Sequence, residues 1–193
     1  MTFGQALEII KEIVPEARNQ YDGILVKKLG ASNTLDEGRT TNQTHIAITG
    51  EQMDAFPYLM AQGYFNCDYI GRDEDLKKYF VTQIPMRIYK SNVISLNGVV
   101  PTELDFDRNQ WIDVNASVLR SRRNEAADQV QLSLTTVDDP RFVTFRKIIH
   151  TDDYLVILKH YNDFCYDCFG IKSEMANDNL GELNNKFYKK PTN

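Results

Sequence analysis

The chain has 193 residues and a mass of 22.3 kDa, enough for one domain that buries roughly 70% of its unfolded surface. Hydrophobic residues at 42%, charged residues at 25% and a mean hydropathy of −0.44 exclude a disordered, collagenous or coiled-coil chain, and no apolar run approaches the ~20 residues of a membrane span. The formal net charge of −5 argues at first sight against a polyanionic partner.

The first element in chain order is a helix over residues 3–14. Phe3, Ala6, Leu7, Ile10, Ile13 and Val14 recur at three- and four-residue spacing, and Pro15 ends the run. This segment has no basic residue before Lys11 and mixes Glu8, Lys11 and Glu12 with apolar residues, unlike a secretory leader. Three cysteines leave no closed disulfide framework, so a cytoplasmic protein is expected. After Tyr21-Asp22-Gly23 comes a short strand, Ile24–Val26, and then a polar segment from Gly30 to Thr44 with no apolar period, which reads as a long loop. A strand resumes over His45–Ile48, and Gln52–Met60 reads as a short helix despite Pro57.

Further strands are expected over Phe80–Ile84, Met86–Tyr89, Gln110–Val114, Val130–Thr135, Tyr154–Lys159 and Cys165–Ile171, separated by turns such as Leu96-Asn97-Gly98 and Val137–Pro140. Many short strands with two small helices make the chain mainly β in an α+β setting, a barrel or sandwich. Residues 1–172 form the domain in this reading. Residues 173–193, polar and asparagine-rich, read as a surface strap or linker.

Three kinds of chemistry compete. Cys165 and Cys168 have the spacing of half a zinc site, which Cys67, His150 or His160 would have to complete; the same stretch reads better as a buried strand, since free cysteine is among the most buried residue types. A metal-dependent nuclease would draw on Glu103, Asp105 and Asp107, or on Asp152, Asp153 and Lys159, but neither group has the acid-and-lysine spacing that surrounds a phosphate. No G-x-S-x-G, phosphate-binding loop or H-E-x-x-H motif occurs. No cofactor or metal is called for.

Two basic segments stand out instead. Residues 27–45 hold Lys27, Lys28 and Arg39 against Asp36 and Glu37, and residues 114–124 hold Arg120, Arg122 and Arg123 with no acid. A locally basic surface on an acidic chain still attracts a polyanion, because the field is screened within about 8–10 Å. Arginine reads guanine edges, and asparagine and glutamine read adenine edges. Arg39, Asn42, Gln43 and His45 cluster in the first segment, and Arg120, Arg122, Arg123 and Asn124 in the second, among small residues that let a backbone approach phosphates.

The run from Leu25 to Ile48 resembles the strand, glycine-rich arm and strand that open the DNA-recognition domain of EcoRII-type restriction endonucleases, a domain related to the plant B-three transcription-factor domain. Ser121-Arg-Arg-Asn-Glu125 before the strand Val130–Thr135 is similar to the second arm of that family, and Asp153–Lys159 with Tyr166–Ile171 resembles its closing strands. The resemblance implies an open pseudobarrel of seven strands with short flanking helices, and two arms that grip the major groove of double-stranded DNA. Carried over by position, it implies contacts from Lys27, Lys28, Ser32, Asn33, Arg39, Thr41, Asn42, Gln43 and His45 in the first arm. In the second it implies Arg120, Arg122, Arg123, Asn124 and Glu125. Thr41-Asn-Gln-Thr-His45 reverses and spaces the family's His-Gln pair, so a different recognised sequence is expected.

The expected function is therefore that of the targeting or effector module of a restriction endonuclease or a restriction-associated protein. Its nuclease domain would lie C-terminal or on a separate subunit. The rivals are a modified-cytosine reader that stacks a flipped base on Trp111 or Tyr166, the stand-alone nuclease above, and a domain whose loops bind an acidic protein.

Overall fold

The computed structural model describes residues 1–38, 44–60, 82–90, 101–106, 110–121 and 128–192. Helix α1 spans Phe3–Ile13 and starts at a capping box, in which Thr2 and Gln5 each accept from the other's backbone N–H. Strands β1 (Tyr21–Lys28) and β2 (Ile46–Ile48) follow. Gln52–Met60 is not one helix but parts of two 3-10 turns, Gly50–Ala55 and Pro57–Met60. Pro57 has no N–H to continue the first turn, so a new one begins there.

The two strands expected around Pro85 are a single strand, β3 (Thr82–Tyr89). Pro85 is tolerated because β3 pairs with β4 (Trp111–Ser121) along its whole length, whereas pairing with β7 (Tyr166–Ile171) begins only at Met86. β4 extends well beyond the expected Val114, and β5 covers Gln129–Leu132. Helix α2 (Pro140–Arg146) was not anticipated, although Asp139 as N-cap and Pro140 in the first turn are its signature. β6 (Tyr154–His160) precedes β7, and α3 (Asp178–Glu182) and β8 (Lys186–Lys189) complete the chain.

The eight strands form one mixed sheet in the order β2-β5-β4-β3-β7-β6-β1-β8. Only β3 and β7 run parallel; the other neighbours are antiparallel. Among the described residues the count is eight rather than the expected seven, because residues 186–189 pair with β1 while Leu180 and Leu183 pack into the core. The turn Gly50–Ala55 touches β8 and β1 near one edge of the sheet and β5 near the other, contacts possible only if the sheet curls into a half-barrel.

Alternation along the strands sends side chains to two cores. Leu25, Leu155, Ile157 and Cys168 point into the curl with Phe56, Phe142 and Phe145, whereas Ile24, Val26, Val156, Leu158 and Phe169 meet Ala6, Ile10 and Val14 of the α1 segment on the convex face. Gly170 marks the tightest packing: a Cβ there would lie 2.8 Å from Ile149 Cγ2 and 3.1 Å from Phe145 Cζ. Among the described residues no helix is long and apolar enough to cross a membrane.

Candidate nucleic-acid interface

The first basic segment leaves the sheet at the C-terminal end of β1 and re-enters it at the N-terminal end of β2, and the second joins β4 to β5. Pairing places their roots at opposite ends of one short ladder. Ile46 faces Leu132, and three residues further along β5 Gln129 faces Ser121. At ~3.4 Å per residue the two roots are about 10 Å apart along the strands.

A buried arginine from α2 holds the first root. Arg146, 1% exposed, donates to Thr44 O (3.0 Å), Ser133 O (2.6 Å), Ser133 Oγ (3.2 Å) and Asn33 O (3.2 Å), all neutral oxygens. One guanidinium thus joins the departing strand, the returning strand and the end of β5. Ser133 meets it with a left-handed backbone, φ 59°, a conformation that needs such support in a non-glycine residue.

A second tie comes from Asp36. Its carboxylate lies 2.6 Å from His150 Nδ1 and accepts from the backbone N–H and hydroxyl of Thr151 and from the Thr34 hydroxyl. Burial raises the Asp36 pKa, but these hydrogen bonds outweigh it and hold the group below the usual carboxylate range. One of the two acids of the first segment is therefore turned toward the protein, while Glu37 is exposed. Beyond it, Gly38 takes φ 74°, a turn that glycine makes without steric cost.

The expected first-arm residues are distributed unevenly. Lys27 is 9% exposed on β1, and burial lowers its pKa. Lys28 is exposed, with Nζ 2.9 Å from Asp152 Oδ1. Ser32 is exposed, whereas Asn33 is buried and contributes its carbonyl to Arg146. His45 is half-buried, and burial, reinforced by Arg146, lowers its pKa to about 4. Arg39, Thr41, Asn42 and Gln43 lie outside the described residues.

Across the second root an ion pair spans the hairpin. Arg120 Nε and Nη2 donate to the two oxygens of Asp128 at 2.8 and 2.5 Å, and Nη1 donates to Leu59 O at 3.4 Å. Arg120 thus pairs across the root of the segment; Arg122, Arg123, Asn124 and Glu125, the other residues expected in the second arm, lie outside the described residues. Sequence reasoning missed Arg146, whose arm partners lie 102 and 113 positions away. It also missed Asp128, an opposite charge eight positions after Arg120 that was there to be read.

The rival sites fare differently. Tyr166 cannot stack on a base: it is 0% exposed, its ring lies against Phe56, and its hydroxyl donates to Ala55 O at 2.7 Å. Trp111 is half-buried, with the Arg87 guanidinium 5.1 Å from its ring centre. The nuclease group at 152–159 is not brought together. Asp152 pairs with Lys28 and Asp153 with Lys172 at one end of β6, while Lys159 pairs with Asp22 near the other. Glu103 and Asp105 are exposed, and Asp107 lies outside the described residues. Cys168 is fully buried, and burial pushes its thiol well above the usual range, whereas Cys165 is half-buried; Cys67 lies outside the described residues. Among those residues no group of three His, Cys, Asp or Glu side chains is placed to hold a metal.

A polar cluster that the sequence did not reveal sits on the convex face. The buried Asp167 carboxylate accepts from Arg87 (2.9 Å), Tyr21 (2.5 Å) and Asn19 (2.9 Å), and lies 2.8 Å from His160 Nε2. Burial raises its pKa, yet the bonds to His160, Tyr21 and Asn19 prevail and lower it overall. The cluster ties the segment after α1 to β3, β6 and β7. No family model matches the chain, and neither the curated proteins nor the solved structures contain a match to it.

Proposed function

We propose that this chain is a sequence-specific double-stranded DNA-binding domain that grips the major groove between two arms. In this reading it is an EcoRII-type, B-three-like pseudobarrel and the targeting module of a restriction endonuclease or a restriction-associated protein. One observation supports the reading: two arginine-containing segments are rooted on one short stretch of sheet, the first entering β2 at Ile46 opposite Leu132 and the second joining Ser121 of β4 to Gln129 of β5. Both roots are tied by arginine hydrogen bonds, which spares binding the entropic cost of ordering the roots.

The division of labour follows from position. Exposed Lys28 and Ser32 would contact phosphates and fix register, and the arm tips would read base edges. The test is selection from random-sequence duplexes at about 0.15 M salt with excess competitor, where purely electrostatic binding is weak. Enrichment of one short motif supports the reading, and the absence of any enriched motif overturns it. Arg123→Ala is expected to cost about 1–3 kcal/mol on the enriched site and to relax one position; Lys28→Ala is expected to weaken all duplexes alike and to reduce the salt slope by about one.

A further inference from the structure

The turn between β6 and β7 lies at the same end of the sheet as the second arm, because β4 and β6 run in the same direction. Two of the four exposed large hydrophobic residues among those described occupy this tip: Tyr161 at 47% and Phe164 at 53%. Exposure of two aromatics within four positions is costly unless something covers or uses them.

The tip is held firmly. His160 N–H donates to Cys165 O (2.9 Å) and Tyr161 N–H to Gln20 O (2.9 Å), while the Asp22 carboxylate accepts from Asn162 N–H (3.0 Å) and Lys159 Nζ (2.9 Å). Asp163, the acid at the tip, accepts from Phe164 N–H at 2.7 Å.

The aromatics also have neighbours that point to a partner. Tyr58 meets Phe164 edge-on at 5.1 Å between ring centres, and the next residue, Leu59, supplies the carbonyl that accepts from Arg120 at the second root. Lys190 Nζ lies 4.8 Å from the centre of the Tyr161 ring, and Lys159 Nζ 5.9 Å from that of Phe164. Lys159 is buried and paired with Asp22, so an aromatic row with Lys190 beside it leads away from the second arm. Alternating ring faces and cations is the composition that holds unpaired bases, whose faces stack while their phosphates are neutralised. An apolar protein surface would have no use for Lys190.

We propose that the β6–β7 tip is a stacking platform for unpaired nucleotides, formed by Tyr161 and Phe164 with Lys190 on the phosphates. The proposal rests on the two-arm reading only for the direction in which a strand would leave the duplex. Its test is fluorescence anisotropy of a labelled oligothymidine of about eight nucleotides, within the site size of one such platform, at low salt. The proteins compared are the native chain, Tyr161→Ala/Phe164→Ala, Tyr161→Phe, Lys189→Ala/Lys190→Ala and Arg123→Ala.

The expected result is a loss of roughly tenfold or more for the double aromatic variant and near-native binding for Tyr161→Phe. Arg123→Ala is expected to leave oligothymidine binding unchanged. A thermal melt close to that of the native chain shows that the exposed substitutions leave the fold intact. Absence of oligothymidine binding by the native chain overturns the proposal, even if a duplex motif is enriched. Binding that survives loss of both aromatics but falls with the lysine pair also overturns it, because attraction without stacking is then sufficient. Aromatic-dependent binding with no enriched duplex motif keeps the platform and removes the two-arm reading.

Discussion

The two arm roots solve the same mechanical problem in opposite ways. At the first, Arg146 is buried and donates to carbonyls from three separate parts of the chain. At the second, Arg120 crosses its own hairpin to an aspartate eight positions on, with the two side chains 11% and 15% exposed. The first is a keystone of the tertiary structure and the second a local clasp. Deleting a buried cation strands the carbonyls that it satisfied; deleting the clasp exposes groups that water can reach.

The sharpest way to break this contrast is Arg146→Met, which leaves the carbonyls of Thr44, Ser133 and Asn33 without that donor. Denaturant unfolding is expected to show a loss of about 3–5 kcal/mol, with Arg146→Lys recovering only part because an ammonium lacks the planar fork. A loss below about 1 kcal/mol would mean that the first root is no keystone.

A pH titration of stability addresses the same root from His45. Folded His45 stays neutral down to about pH 4, whereas the unfolded ring protonates near its usual ~6.5. Between these values the unfolded state binds more protons, so stability falls as pH drops from ~6.5 to 4 and this contribution levels off below. Partial exposure limits the effect to about 1–3 kcal/mol. His45→Gln should flatten that window; an unchanged slope would place the titration elsewhere.

The clasp is tested by a double-mutant cycle on Arg120→Ala and Asp128→Ala, with an expected coupling of about 1–2 kcal/mol. DNA binding separates clasp from reader. If Arg120 only braces the arm, the two single variants lose similar affinity for the selected site. If Arg120 reads a base, Asp128→Ala retains affinity that Arg120→Ala loses.

The smallest effect belongs to Asp36→Asn. Its partners are largely exposed, so a loss of about 0.5 kcal/mol is expected near neutral pH. Because the folded carboxyl titrates below its usual value, that contribution is present above ~4 and disappears as pH falls through the folded value. A variant indistinguishable from the native chain at pH 7 would mean that Asp36 is no tie at the first root.

Legibility in the sequence followed the range of the interactions. Helix α1 and most strands are legible because three- and four-residue periods and β-branched runs are local, and Asp139-Pro140 is an equally local signal for the start of α2. β8 escaped notice because Lys186–Lys189 is a short edge strand whose lysines resemble linker composition. Within the candidate interface, composition singled out two basic segments but treated all their cations alike. Lys27 is buried, Lys28 is paired and Arg120 is clasped, distinctions that depend on which strand edge or turn each one meets.

The amino-acid sequence by itself determined a mainly β chain, the place of its first helix, most of its strands and the positions of two basic segments, because backbone preference and side-chain alternation act between near neighbours. Only the tertiary structure decided that the described strands share one curled sheet of eight, that Arg146 and Asp167 are polar hubs, and that the two basic segments are rooted at opposite ends of one ladder. Those outcomes depend on strand order and on contacts between residues about a hundred positions apart, where burial turns an ordinary arginine or aspartate into a structural centre by denying it water.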